Sequence, residues 1–106
     1  MAETTVVMIG ARIFVSEEDV EALENRSHQL IKKAREARLH FYWGSPGEGR
    51  YCLMVGKILA KLGVENEASL EIPSTAIDEL VSEVREAFEN AGIRESANLI
   101  AQYFPD

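Results

Sequence analysis

The feature that most constrains the fold is the first apolar segment, Thr4 to Val15, TTVVMIGARIFV. At a period of two, Val7, Ile9, Ala11, Ile13 and Val15 fall on one side, which is the pattern of a strand. Val6, Met8 and Phe14 fall on the other side, interrupted by Gly10 and Arg12. A strand apolar on both sides needs cover on both, so a layer must lie against each side of it.

The next segment supplies one such layer. Ser16 stands as an N-cap with Asp19 three places on, and from Ser16 to Arg38 an apolar stripe recurs at helical spacing: Val20, Leu23, Ser27, Leu30, Ile31, Ala34 and Ala37. Glu17, Glu18 and Asp19 lie at the positive end of that helix's dipole, and Lys32, Lys33, Arg35 and Arg38 at the negative end. That placement accounts for the basic cluster as dipole-complementing surface, with a phosphate-binding patch as the alternative. His28 falls beside the stripe as a boundary residue.

The stretch HFYWGSPGEGRYC, His40 to Cys52, reads as a wide turn. Gly44 and Gly49 have the spacing of a phosphate-binding loop. Arg50 stands where that loop needs lysine, however, and Tyr51 where it needs a hydroxyl to hold magnesium. From Tyr51 to Leu62 the period fits helix or strand. Gly56 would cost a helix interior about 1 kcal/mol relative to Ala, which favours a strand. GVENE then has turn chemistry, and ASLEI, Ala68 to Ile72, completes a hairpin.

STAIDELVSEVREAFENAGI is a second helix, with Thr75 and Asp78 as a capping box and Gly92 just past its end. Its stripe is Ile77, Leu80, Val81, Val84, Ala87, Phe88 and Ala91, and its outer face is a row of solvated carboxylates. SANLIAQYFPD alternates as a last strand. The order strand, helix, strand, strand, helix, strand predicts an α+β domain of ferredoxin-like type, with two helices on one face of a four-stranded antiparallel sheet. A hydrophobic content of 46% over 106 residues suffices for one core, so residues 1–106 are read as one domain. Two helices cover one sheet face only. The second apolar face predicts a homodimer packed sheet to sheet or two sheets enclosing a pocket; the alternative is a curled sheet covered by its own FYW loop.

Eighteen acidic against eleven basic residues give a net charge of −7, which sets nucleic acid and anionic membrane surfaces aside as partners. The first residues lack a basic leader and an unbroken apolar span, and the lone Cys52 agrees with a reducing compartment, so the expected location is cytoplasmic. No metal-ligand spacing, nucleophile motif or cofactor fingerprint stands out, so no catalytic residue, metal or cofactor is expected.

The residues with binding chemistry are His40, Tyr42, Trp43 and Arg50, an imidazole, two amphipathic aromatics and a cation suited to a small anionic or aromatic ligand. Three functions follow as expectations. The first is a non-catalytic regulatory or interaction module, dimeric, meeting a protein partner through its sheet or acidic helix. The second is a cofactor-independent enzyme or small-ligand binder of dimeric α+β barrel type. The third is an acidic immunity-type inhibitor of a basic partner.

Overall fold

The computed structural model describes residues 3–47, 49–63 and 68–105. Four strands, β1 (Thr4–Val15), β2 (His40–Gly47), β3 (Arg50–Gly63) and β4 (Asn98–Phe104), form one sheet in the order β2-β3-β1-β4, with every neighbouring pair antiparallel. Three helices, α1 (Val20–Glu24), α2 (Gln29–Glu36) and α3 (Ser74–Ala91), make this an α+β fold. No helix among the described residues is long and apolar enough to cross a membrane.

The first helical segment is broken where its pattern predicted one helix from Ser16 to Arg38. A turn of 3-10 helix, Glu17–Asp19, leads into α1, and the chain reverses before α2. Asn25 Oδ1 accepts from Ser27 N at 3.0 Å, and Arg26 sits at φ 61. His28 Nδ1 then accepts from Leu30 N at 3.1 Å, so His28 caps α2. Asn and His compete with helix bonding through their side chains, and the apolar stripe does not register that competition. Ser16 Oγ donates to Asp19 Oδ2 at 3.3 Å instead of capping a backbone group.

The hairpin is also placed differently. Phe41, Tyr42 and Trp43 lie in β2, which pairs with β3 from His40↔Gly56 to Gly47↔Arg50, so the chain reverses between Gly47 and Arg50. Position 48 and the expected turn at 64–67 lie outside the described residues. Ala68–Ile72 is irregular and pairs with no strand. The hairpin partner of β3 is therefore the aromatic run. The strand reading of residues 51–62 holds within β3, while α3 starts after Pro73 without the Thr75–Asp78 box. Gly92 ends α3 at φ 73 as expected.

The side of the sheet toward the helices carries the larger core. Ile9, Ala11, Leu53 and Val55 pack with Leu23, Ile31, Ala34, Val84, Phe88 and Ile93. The other side has a core of its own: Val6, Met8, Cys52 and Met54 are fully buried and Phe104 is 2% exposed, with Tyr42, Ile58 and Ile100 packed around them. No helix among the described residues supplies this cover. The sheet curls until β2 and β4 approach across its mouth, Tyr42 and Phe104 meeting as tilted rings at 4.9 Å between centroids.

Two backbone features produce the curl. Gly10 and Gly56 stand opposite each other in β1 and β3. A Cβ on Gly10 would overlap the Val55 carbonyl oxygen, and one on Gly56 the Ile9 carbonyl oxygen. Gly56 also holds φ 150, a conformation L side chains rarely adopt. Past this crossing the register slips by one residue, Val7 facing Ala60 and Met8 facing Ile58, so Leu59 bulges. A close glycine crossing followed by a bulge bends and coils a strand pair.

Gly10→Ala and Gly56→Ala should therefore each destabilise by at least about 3 kcal/mol. Gly92→Ala, with open space around its Cβ, should cost about 1 kcal/mol. Urea unfolding reads all three, and a Gly10→Ala midpoint equal to wild type would contradict the close crossing.

Candidate functional site

Exposed chemistry collects on the concave side of the sheet, away from the helices. Its floor is the small core just described, and its rim begins with Phe14, which stands opposite Cys52 and is 47% exposed. The guanidinium carbon of Arg50 lies 4.1 Å from the Phe14 ring centroid and that of Arg12 lies 5.4 Å from it, both within cation–π range. Arg12 Nη1 also donates to Gln102 Oε1 at 2.7 Å. Gln102 stands opposite Val6, well down β1 from Arg12, so these side chains meet only because the face is concave. Farther along the face, the Lys61 ammonium sits 5.2 Å from the Tyr42 ring centroid.

The charges are segregated. The four strands carry Arg12, Arg50, Lys57 and Lys61 and no Asp or Glu. Lys57 points to the helix side, where its Nζ lies 3.2 Å from Glu83 Oε2 of α3. The remaining three cations belong to the concave side, so a chain of net charge −7 has a positive hollow in its sheet. Burial pushes the Cys52 thiol up from its ordinary pKa, and the charges of Arg12 and Arg50 pull it back down, which places both cations near the buried sulfur.

The four residues singled out by their chemistry are not gathered into one site. Trp43 packs on the helix-side core, opposite to the hollow. His40 begins β2, and its Nδ1 accepts from Ile58 N at 2.9 Å. That backbone donor lies just beyond the His40↔Gly56 pair where β2 starts, and His40 provides the acceptor a longer strand would have supplied. A cleft of about 240 Å³ beside it is lined by Arg38, His40, Lys57 and Glu83, of which Lys57 and Glu83 pair with each other. Tyr42 is on the concave side, held between Phe104 and Lys61. Arg50 stands at the far end of the hairpin from His40, on Phe14.

Comparison with protein families, curated proteins and solved structures gave no match.

Phe14 was expected on the second apolar face, and Arg12 is the residue beside it to which pattern reading assigned no role. In sequence Arg12 only interrupts an apolar face, and its convergence with Arg50 depends on pairing β1 with β3. Three or more metal-ligating side chains do not cluster anywhere among the described residues.

The buried thiol gives a pH test of the hollow's floor. Below the ordinary thiol range both folded and unfolded chains keep the proton, and stability is unaffected. As pH rises through that range the unfolded chain ionises first, so stability should fall, and Cys52→Ala should remove that part of the slope. Denaturation between neutral pH and about pH 10 measures it; parallel curves for wild type and Cys52→Ala would contradict a buried, protonated Cys52.

Proposed function

We propose that this protein is a non-catalytic interaction module of ferredoxin-like plan that works as a homodimer through strand β4. The plan is supported by the strand order β2-β3-β1-β4 with all neighbours antiparallel and by the alternation of strands and helices along the chain. The side chains that would most readily have served a small-molecule enzyme are engaged structurally: His40 bonds the β3 backbone, Tyr42 packs on Phe104, and Trp43 sits against the helix-side core.

The observation that carries the reading is the composition and exposure of β4. It is an edge strand, Asn98–Phe104, without a charged residue, and Leu99 is 55% and Tyr103 48% exposed. Leu99, exposed Ala101 and Tyr103 alternate on the side of β4 opposite to Ile100 and Phe104. An uncharged edge with large exposed apolar side chains invites strand pairing.

Two copies related by a two-fold axis at Ala101 would place each Leu99 across from the partner's Tyr103, with the small alanine at the axis. That arrangement is self-complementary and closes at two subunits. It also brings two chains of charge −7 together where neither carries charge, and so where repulsion is least.

Sedimentation equilibrium should give a dimer for wild type. Leu99→Glu and Tyr103→Glu should each shift it to monomer while leaving the far-UV circular dichroism unchanged, since both side chains are exposed. A monomeric wild type would defeat the reading, as would a dimer indifferent to both changes.

A further inference from the structure

The hollow holds more positive charge than the fold requires. Arg12 and Arg50 each lie against the ring of Phe14, so their guanidinium carbons are at most about 10 Å apart. Neither makes an ion pair among the described residues, and all three residues sit on strands that contain no carboxylate. The arrangement is also held in place. Arg12 is fixed by its bond to Gln102, and Arg50 by contact with an aromatic face, an interaction that leaves the N–H groups at the guanidinium edge available. Two guanidinium groups within that limit of each other can both reach one oxyanion, which each can grip with charge-assisted hydrogen bonds.

We propose that Arg12 and Arg50, set around Phe14 at the mouth of the curled sheet, form a binding site for a small molecule bearing an oxyanion group, a phosphate ester or a carboxylate. The site is local by design. The rest of the chain is acidic and repels polyanions at long range, whereas a small anion that reaches the hollow meets two cations and no carboxylate from the strands. Phe14, half-exposed beneath Arg50, gives an aromatic or aliphatic ligand body an apolar surface close to the anion.

The test follows the arginine Nε–H and backbone amide signals of ¹⁵N-labelled protein during titration with inorganic phosphate, phenyl phosphate and benzoate, with sodium chloride at matched ionic strength as reference. Saturable shifts at Arg12, Arg50 and Phe14 are expected with an oxyanion and not with chloride. Tighter binding of phenyl phosphate than of benzoate identifies a phosphate ligand, and the reverse a carboxylate. Arg50→Gln should weaken binding about tenfold, Arg50→Lys should weaken it less by keeping the charge, and the double change Arg12→Gln, Arg50→Gln should abolish it. Trp43, on the opposite side of the sheet, reports by its fluorescence that each variant is folded. Shifts that match chloride would overturn the proposal, as would saturable binding that survives in the folded double variant.

Discussion

At Gly10 and Gly56 the backbones of β1 and β3 approach more closely than any side chain would allow, and the rest of the architecture depends on that crossing. A flat four-stranded sheet with helices on one face would leave Val6, Met8, Cys52 and Met54 in water. The glycine crossing and the Leu59 bulge coil the two long central strands, and the outer strands swing together over these side chains. Phe104 then closes the mouth against Tyr42 and the backbone of Gly44, where a Cβ would meet its ring at 2.9 Å. One chain thereby covers both faces of its central strands, one with helices and one with its own edges.

The same curvature arranges the polar chemistry. Side chains far apart along a strand converge on a concave face, which is how Arg12 reaches Gln102 and how Arg12 and Arg50 come to share Phe14. The carboxylates of the helices are kept on the other side of the sheet, where Glu83 takes Lys57. Exposed apolar surface is displaced in turn from the face of the sheet to its edge. With the second face closed, Leu99 and Tyr103 are left exposed on β4.

The double apolarity of Thr4–Val15 made a second covered face legible from the residues alone, and the helix at Ser74–Ala91 was plain from its stripe and its terminal glycine. The hairpin was misplaced because Gly44, Pro46, Gly47 and Gly49 carry turn chemistry, while Phe41 to Trp43 form a strand through pairing with residues that follow them. The break at Asn25–His28 was hidden because side-chain capping by Asn25 and His28 outweighs a periodic pattern that runs on through it. Of the residues singled out for binding chemistry, Arg50 and Tyr42 lie on the concave side; Phe14 was legible only as part of the second apolar face, and Arg12 only as an interruption of it. Which residues share a concave face depends on register and on the Leu59 bulge, neither of which is written locally in the chain.

The central claim, that the sheet closes on itself within a single chain, is tested most directly by aromatic nuclear Overhauser effects in dilute protein. A closed sheet predicts strong cross-peaks from the Phe104 ring to the Gly44 α-protons and to the Tyr42 ring, undiminished on dilution of the Leu99→Glu variant. Absence of those cross-peaks, with Phe104 ring protons at solvent-exposed shifts, would mean that the second face is open and that the hollow, its floor and its paired arginines do not exist as described.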